Sequence, residues 1–375
     1  EEISAIKGYT YNLVNGKVEK TSLGKAAIFN ENVSKNYYHI KITFPEVKEG
    51  SIIELSYNMS SNLFSNMPEW RFQHGIPVLK STYSVEIPEY FHYNQFQRGY
   101  LSISTQMSTN NRSFPGTTQS YQTNIYDYDL EDVPAFPVGE QLTTIDNYIT
   151  KVDYELASFN VPGRVYESYS NKWEDVVKIF IEDEDFGQRL KGDDHLKALS
   201  SEIQQKSTSP QMQMKLAFEA IKSKMKWNGN NGVFCTSALR KTFENGNGNP
   251  TDVNLNLVAL LKRLGLEAYP VVLSTRSNGM IHPAHPSINQ MNYTVVLCIV
   301  NETSYLMDAT ERYSDIDVLP ARCLNGSGLI ISSARIMWEP LLKGKLLKST
   351  MLYDLSLDEN GEMKGRINML SSDFK

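Results

Sequence analysis

A loop, a helix and a strand are predicted in direct succession over residues 246–276, GNGNPTDVNLNLVALLKRLGLEAYPVVLSTR. Four apolar residues recur at the spacing of one buried helix face: Leu257, Val258, Leu261 and Leu264. Thr251 and Asp252 suit the helix start, because their side-chain oxygens can accept hydrogen bonds from free first-turn N–H groups. Gly265 suits the left-handed position just past the end. The apolar residues 268–273 then predict a buried strand.

Residues 1 to about 160 are predicted to form β structure, because short runs rich in β-branched and aromatic residues alternate with turn signals. Asn15-Gly16 lies between two such runs and predicts a two-residue hairpin turn. Residues 40–44, IKITF, alternate apolar and polar side chains, as expected for a strand with one face in the core. No long helical pattern interrupts this region, so an antiparallel β-sandwich is the predicted architecture.

Three helices are predicted between this β region and residue 246. The first has Asn171 as its cap and an apolar face made of Trp173, Val176, Val177 and Phe180. The second covers residues 193 to about 205. The third begins at Ser209-Pro210, since proline is tolerated at the first helical position. Its predicted buried residues are Met214, Ala217, Phe218, Ile221 and Met225.

Strands return after the central helix. Residues 292–300 and 304–308 are predicted to be consecutive strands. Further on, STMLYDLSL and EMKGRINML flank Asp358–Gly361, which predicts a β-hairpin. A lone hairpin is only marginally stable, so we expect it to begin a further β region. The fold class predicted from the whole pattern is α+β.

Charge and cysteine content narrow the functional classes. The net charge is −6 and the lysines and arginines are dispersed, so no basic stripe indicates nucleic-acid binding. No apolar run reaches the roughly 18 residues that a membrane-spanning helix needs. The three cysteines, Cys235, Cys298 and Cys323, are too few and too scattered for a disulfide framework or a zinc site. We therefore expect no cofactor, no metal and no transmembrane segment.

The stretch over residues 246–276 resembles the core of the transglutaminase-like superfamily, whose members have a papain-like fold. In that family a Gly-x-Cys-x-Asp-type motif opens the helix, where the helix dipole favours the nucleophilic thiolate. A His on the next strand and an Asp in a Leu-Asp-Ala-Thr-like segment complete the triad. Residues 50–57, GSIIELSY, and 68–90, PEWRFQHGIPVLKSTYSVEIPEY, resemble an uncharacterised β-domain that precedes bacterial transglutaminase-like domains.

Two of the three catalytic positions are substituted when the family motif is placed on this sequence. Gly248 matches the motif Gly, Pro250 stands at the Cys, and Tyr293 stands at the His, whereas Asp308 in YLMDATERY matches the Asp. Proline has no nucleophilic side-chain atom, and tyrosine, with an unperturbed pKa of roughly 10, is a poor general base near neutral pH. The resemblance therefore implies a retained fold with a degenerate triad. A structural hydrogen bond between Tyr293 and Asp308 is expected.

Four further residues are expected near the predicted cleft: Asp252, Asn292, Arg276 and Arg312. Either arginine could hold a ligand carboxylate, and the alternative is an internal ion pair with Asp252 or Glu311. Cys235, in GVFCTSALRKTF, is the thiol that could enter the cleft in place of the motif Cys, and the alternative is a helix-packing cysteine.

Two motifs outside the triad also have alternative interpretations. His282 and His285, in HPAHP, are spaced for metal binding, but the neighbouring prolines favour extended backbone and no third ligand is nearby. This loop is expected near the cleft mouth. Trp70, Phe72 and His74 are expected to be core or interdomain aromatics rather than a glycan platform.

The predicted division is a β-sandwich domain of unknown function over residues 1–162, a transglutaminase-like domain over 163–343, and the start of a C-terminal β region over 344–375. We expect that last region to be truncated. No signal peptide is present in the sequence, and the resemblance implies an exported bacterial protein in the periplasm or at the cell surface.

Three functional interpretations are compared. The first is a pseudoenzyme that binds an unknown peptide, protein or glycan, because Pro250 and Tyr293 occupy the two reacting positions. The alternative is a cysteine peptidase or protein-glutamine acyltransferase, which requires the sulfur of Cys235 to face Tyr293 and Asp308. A spacer role for the middle domain, with the β-domains carrying the function, is a third and weaker interpretation.

Overall fold

The chain has an α+β fold in which antiparallel strands precede a helical region built around one buried helix. A computed structural model describes residues 2–34, 37–62, 64, 67–114, 116, 118–137, 139, 144–163, 166–168, 172–342 and 348–372. The α-helices are α1 (Trp173–Glu182), α2 (Lys197–Lys206), α3 (Pro210–Lys224), α4 (Leu239–Asn245) and α5 (Pro250–Arg263). Short 3₁₀ turns occur at Lys25–Ala27, Ile145–Asn147, Gly187–Lys191, Asp194–Leu196, Ile288–Gln290 and Ala321–Cys323.

The strands of the first half of the chain are β1 (Glu2–Val14), β2 (Lys17–Ser22), β3 (Ile28–Ser34), β4 (Tyr37–Ile42), β5 (Ile52–Ser60), β6 (Trp70–Arg71), β7 (Val78–Pro88), β8 (Phe91–Arg98), β9 (Ser104–Ser113), β10 (Ser120–Val133), β11 (Lys151–Phe159) and β12 (Glu167–Ser168). Those of the second half are β13 (Lys226–Trp227), β14 (Asn247–Gly248), β15 (Glu267–Leu273), β16 (Tyr293–Val300), β17 (Thr303–Met307), β18 (Ser327–Ile330), β19 (Met337–Pro340), β20 (Lys348–Leu357) and β21 (Met363–Ser372).

Contacts divide the chain into two compact units. The first comprises Glu1–Pro68 and Tyr154–Leu156, and the second comprises Glu69–Asp153 and Ala157–Lys375. In the first unit, β2, β1 and β5 form an antiparallel sheet, and β3 pairs with β4. Asn15 and Gly16 join β1 to β2 with φ of 51° and 77°, so the predicted hairpin is confirmed.

The second unit begins with β strands and continues into the helices. Its β part has one antiparallel sheet of order β7–β10–β9 and another of order β12–β11–β6, with β8 also paired to β11. The boundary between the two units therefore falls inside the region that was predicted to be a single β domain. The α+β fold class is confirmed, with antiparallel strands ahead of the helices.

The central helix α5 differs from its prediction in one respect. The sequence pattern indicated one buried face, but every residue from Pro250 to Leu261 is buried. Strands β15 and β16 cover one side of this helix, and α3 and α4 cover others. Gly265 follows the helix with φ of 82°, as predicted. Burial on all sides requires partners for the helix's polar side chains, and those partners organise the site described below.

The helices before α5 confirm most of the predicted apolar faces. Val176, Val177 and Phe180 of α1 are buried, and α3 begins at Pro210. Its buried residues are Met214, Ala217, Phe218 and Ile221, with Met225 buried just after the helix. The predicted cap Asn171 lies outside the described residues. Lys172 is the N-cap residue of α1 and makes no side-chain capping bond.

A five-stranded antiparallel sheet of order β17–β16–β15–β18–β19 packs against α5. Asp308 follows β17 directly rather than lying within it. The predicted C-terminal hairpin is confirmed as β20 paired with β21, and Gly361 in its turn has φ of 82°. None of the described helices combines the length and the apolar character needed to cross a bilayer.

Candidate active site and cleft

The start of α5 is held by a reciprocal pair of side chains. The Asn249 side chain accepts a hydrogen bond from the backbone N–H of Asp252 at 2.9 Å, and Asp252 Oδ2 accepts one from the backbone N–H of Asn249 at 3.0 Å. Pro250 occupies the first helical position, where its missing N–H has no consequence. Pro250, which the sequence comparison placed at the nucleophile position, is therefore a residue well suited to begin a helix.

Asp252 is fully buried and belongs to this capping arrangement rather than to a cleft. Its two carboxylate oxygens also accept hydrogen bonds from the backbone N–H and the hydroxyl of Thr236, at 3.0 and 2.6 Å. The loop before α4 is thereby attached to the start of α5. A carboxylate that accepts this many hydrogen bonds is satisfied without any arginine partner.

A pair of threonines joins the start of α5 to the start of β16. Thr251 and Thr294 share a hydrogen bond of 2.8 Å between their hydroxyl oxygens, and the Thr251 hydroxyl donates to the Gly232 carbonyl at 2.7 Å. Pro250 precedes Thr251 and Tyr293 precedes Thr294. Pro250 and Tyr293, the residues predicted to stand at two substituted triad positions, are therefore each next in sequence to a member of this hydrogen-bonded pair.

Tyr293 and Asp308 contact each other directly. The Tyr293 hydroxyl donates to Asp308 Oδ2 at 2.8 Å, and both side chains are fully buried. Asp308 Oδ1 accepts from the Asn254 side chain at 2.9 Å and from the Thr310 backbone N–H at 3.0 Å. The oxygen of the Asn254 amide accepts from the backbone N–H of Ala309 at 3.0 Å. The hydrogen bond expected between Tyr293 and Asp308 is present and is fully supported by its neighbours.

Arg322 completes this network, and the sequence did not reveal it. Its Nη2 donates to the Tyr293 hydroxyl and to Thr310 Oγ1, both at 2.8 Å, and lies 3.5 Å from Asp308 Oδ2. Its Nη1 pairs with Glu311 at 2.5 Å. No motif in the surrounding LPARCLNG distinguishes this arginine, so neither spacing nor composition could have found it. Its ion pair with Glu311 is one of the internal ion pairs that were considered for Arg276 and Arg312.

Electrostatics keep the Tyr293 phenol neutral. Burial raises its pKa far above the ordinary value, and the Asp308 carboxylate raises it further. Cys323 packs in the same cluster, and burial together with Asp308 raises the pKa of its thiol well above the usual range. Both groups are therefore expected to keep their protons near neutral pH.

Cys235 lies among other partners. It packs in a cluster with Val176, Phe180 and Leu255, and its charged neighbours are Asp252, Arg189 and Asp185. Burial, followed by the Asp252 carboxylate, raises the pKa of its thiol well above the ordinary value. The alternative function requires this sulfur to face Tyr293 and Asp308, whereas these neighbours are those expected of a helix-packing cysteine.

A cleft of about 650 Å³ opens beside the network. Its lining consists of Glu219, Lys222, Ser223, Met225, Lys226, Trp227, Thr310, Glu311 and Arg312. The Arg322 guanidinium lies 4.4 Å from the centre of the Trp227 ring, and Thr310 is hydrogen-bonded to Tyr293. Trp227 and Thr310 therefore line the cleft and also contact Arg322 and Tyr293 of the network.

Of the four residues expected near the cleft, Arg312 alone is among its lining residues. The side chain of Asn292 instead exchanges two hydrogen bonds of 2.9 Å with the backbone N–H and hydroxyl of Thr275. Arg276 follows the same segment, and its backbone N–H donates to the Arg322 carbonyl at 2.8 Å. The Arg276 backbone is therefore hydrogen-bonded to the loop that carries Arg322.

The HPAHP loop contacts α1 and β8 and contributes no residue to the lining of this cleft. The rings of His282 and His285 stack at 4.2 Å, and His285 packs against Phe96 at 3.7 Å between ring centres. The Trp173 indole donates to the Pro283 carbonyl at 2.7 Å. The loop is thus a packing element between the helical region and the β strands that precede it.

The three aromatic residues near β6 have different surroundings. Phe72 is fully buried with its ring edge toward Tyr128, as expected of a core residue. Trp70 is 39% exposed and stacks on Tyr83 at 5.1 Å. His74 lies at the surface, with a ring nitrogen 3.1 Å from the Arg71 carbonyl.

Beside these aromatics lies a cluster of opposite charges around Glu69 and Asp153. Lys151, whose side chain is 8% exposed, pairs with Glu69 at 2.5 Å, and Arg98 pairs with Asp153 at 3.1 Å. Burial opposes ionisation of Glu69, but hydrogen bonds from Lys151 and Arg71 lower its pKa to about 2. Burial raises the pKa of Asp153 to about 6, against the attraction of Lys151 and Arg98.

These opposite pKa shifts predict how stability changes with pH. The raised pKa of Asp153 makes folding favour its protonated form, so its contribution is lost as the pH rises from about 4 through 6. We expect Asp153→Asn, which stays neutral, to stabilise the protein by about 1–2 kcal/mol at pH 7.5 and to leave it unchanged near pH 4. The measurement is urea unfolding across this pH range.

The exposed Asp354→Asn serves as the control for that measurement and should change stability at no pH. The lowered pKa of Glu69 has the opposite effect, so its contribution is lost as the pH falls from about 4.5 through 2. A destabilised Asp153→Asn protein at pH 7.5 would contradict the assignment.

The architecture described above, a buried helix against an antiparallel sheet with β strands ahead of it, is shared with a known structure. The crystal structure of a protein from Parabacteroides distasonis, named a "putative protease", matches with a TM-score of 0.59 and 11% sequence identity, over 91% of this chain. This chain covers 64% of that protein's length. At this identity the likeness shows a shared fold.

Two further structures match less well. A "putative cysteine protease" from Cytophaga hutchinsonii is 11% identical with a TM-score of 0.28, over 82% of this chain and 89% of that one. A structure named "a TGase" is 11% identical with a TM-score of 0.26, over 60% of this chain and 52% of that one. No curated protein matches the chain.

One protein-family model matches the chain, and the match lies in the β region at its start. Residues 1–137 match the family described as "Domain of Unknown Function with solved-structure structure (DUF3857)". This range contains both phrases, GSIIELSY and PEWRFQHGIPVLKSTYSVEIPEY, whose resemblance to an uncharacterised β-domain was noted from the sequence. The match supports that resemblance and assigns no chemistry to the region.

Proposed function

We propose that residues 163–343 form a non-catalytic, transglutaminase-like binding domain that takes a peptide or glycan in the cleft beside Trp227. The observation that carries this proposal is the hydrogen-bonded network of Tyr293, Asp308 and Arg322, in which Tyr293 and Asp308 are fully buried and Arg322 is half-buried. A triad needs a nucleophile and a base that exchange protons with substrate. This network has neither group, while a cleft of ligand-binding size remains next to it.

Arg322 supports the proposal through its effect on the Tyr293 hydroxyl. That oxygen donates to Asp308 and accepts from Arg322, and Thr310 is a further partner at 2.8 Å. A hydroxyl with these partners has little capacity left for a substrate proton. The same bonds hold Thr310 at the cleft wall, so the substituted triad would serve to support a binding surface.

A turnover assay tests the loss of catalysis. We expect the purified protein to release no more product from glutamine-containing peptides, and to incorporate no more of a fluorescent amine into them, than heat-denatured protein does. A thiol-directed probe should label the unfolded protein but not the native protein, because all three cysteines are buried.

The opposite result of that assay supports the alternative function of a cysteine peptidase or acyltransferase. Turnover by the wild-type protein that disappears in Asp308→Asn, with folding retained by circular dichroism, would overturn the non-catalytic proposal. Turnover that persists in this variant and in Cys235→Ala would instead indicate a contaminating enzyme, which a second purification must remove before the comparison is repeated.

Two further parts of the proposal concern organisation and location. The division into a β domain over residues 1–162, a transglutaminase-like domain over 163–343 and a C-terminal β region from 344 is proposed on the sequence pattern. A periplasmic or cell-surface location is proposed on the resemblance to exported bacterial proteins. Limited proteolysis would test the division, and fractionation of the native host would test the location.

A further inference from the structure

The charged residues that line the cleft give it a positive balance, whereas the chain as a whole is acidic. Five lining residues carry charge: Glu219, Lys222, Lys226, Glu311 and Arg312. The chain as a whole has a net charge of −6. A cleft whose cations outnumber its carboxylates within an acidic protein therefore has a local preference for anionic groups.

Both carboxylates of the cleft are already paired inside the protein. Glu219 pairs with Lys222 at 2.7 Å, and Lys222 also donates to the Ser314 carbonyl at 2.8 Å. Glu311 pairs with Arg322 at 2.5 Å, behind the cleft wall. Neither carboxylate is therefore available to bind a cationic ligand without breaking an existing ion pair.

Two cations of the lining have no such internal partner. Among the described residues, neither Lys226 nor Arg312 forms an ion pair, and both are exposed. The Arg312 guanidinium lies 5.7 Å from the centre of the Tyr313 ring, which leaves its N–H groups free to donate elsewhere. A guanidinium matches the two oxygens of a carboxylate, and an ammonium adds a second positive charge.

The rest of the lining is apolar or uncharged. Met225 and the Trp227 ring form one wall, and Arg322 behind Trp227 fixes the orientation of the indole. The indole N–H already donates to the Asn230 carbonyl at 2.8 Å, so the cleft meets the ring rather than its donor. An apolar side chain of a ligand can pack there while its carboxylates reach the two free cations.

We infer that the ligand of this cleft is an acidic peptide segment with an apolar residue between or beside its carboxylates. Lys226 and Arg312 bind the carboxylates, and Trp227 contacts the apolar side chain. This inference rests on the proposed binding function and specifies the substrate class of the same cleft. No bond is made or broken in the bound peptide.

Calorimetry with three blocked tripeptides tests the inference: acetyl-Glu-Leu-Glu-amide, acetyl-Gln-Leu-Gln-amide and acetyl-Lys-Leu-Lys-amide. We expect the acidic peptide to bind at least about tenfold more tightly than the neutral one, and more weakly as salt is added. Lys226→Gln and Arg312→Gln should each weaken its binding about fivefold, which is typical of exposed charge pairs. The double variant Lys226→Glu with Arg312→Glu should prefer the basic peptide.

Lys224→Gln is the matched control, because Lys224 is exposed near the end of α3 and does not line the cleft. It should bind the acidic peptide as the wild type does. Equal binding of acidic and neutral peptides, unaffected by Lys226→Gln and Arg312→Gln, would overturn the inference and leave a binding cleft in place. Failure of all three peptides to bind would also overturn it, whereas the turnover assay decides the non-catalytic function independently.

Discussion

Asp308→Ala should lower the free energy of unfolding of the helical region by about 3–5 kcal/mol, because several buried hydrogen-bond donors lose the same acceptor. The carboxylate is fully buried and accepts from Tyr293, Asn254 and the Thr310 backbone N–H. Its removal would leave these donors without an acceptor and would leave Arg322 facing no carboxylate on that side. Each unsatisfied buried group has a free-energy cost of its own.

The measurement is urea unfolding followed by tryptophan fluorescence, with two comparison variants. Asp308→Asn keeps an oxygen acceptor and should lose less stability than the alanine variant. Asp354→Ala removes an exposed aspartate from β20 and should change stability by less than about 0.5 kcal/mol. If Asp308→Ala were no more destabilising than Asp354→Ala, the network would not be a buried structural element, and the support it gives to the proposed function would be lost.

Leu257→Ala should have an effect of similar size, about 2–5 kcal/mol, through a different mechanism. Leu257 is fully buried in α5 and packs within the main apolar cluster of the helical region. Truncation removes apolar contacts and leaves a cavity, because a helix enclosed on all sides cannot shift to fill the space. Thermal and urea unfolding both measure the loss.

The control for this second prediction is Leu79→Ala on β7, where the leucine is 84% exposed. That change should alter stability by only a few tenths of a kcal/mol, because little apolar surface is buried there. Comparable losses from the two leucines would mean that α5 is not enclosed as the structure shows it.

Local elements were predicted well because their signals lie within a few residues of one another. Asn15-Gly16 permits the positive φ angles of a two-residue turn, and Gly265 permits the left-handed end of α5. The C-terminal hairpin was found in the same way, from alternating strands around Asp358–Gly361. The cap of α5 was placed two residues late, although Asn249 and Asp252 show the spacing of a reciprocal pair.

The enclosure of α5 could not be predicted from periodicity. Asn254 and Asn256 interrupt the apolar pattern and made one side of the helix look like a surface. Both amides are buried, and tertiary contacts satisfy them: Asn254 bonds to the Thr294 carbonyl at 2.8 Å, and the Asn256 side chain lies 2.8 Å from a His195 ring nitrogen. A polar residue in a helix can be buried when tertiary contacts supply its hydrogen-bond partners, and the sequence does not show those contacts.

The amino-acid sequence alone determined the loop, helix and strand around residue 250 and the absence of a thiol and an imidazole at residues 250 and 293. Those are properties of residue type and short spacing. Only the tertiary structure determined that Arg322, 29 residues from Tyr293, bonds to its hydroxyl, and that Lys226 and Arg312 remain unpaired in the same cleft. The physical reason is that an ion pair depends on a distance of a few ångströms in space, which the separation along a chain does not encode.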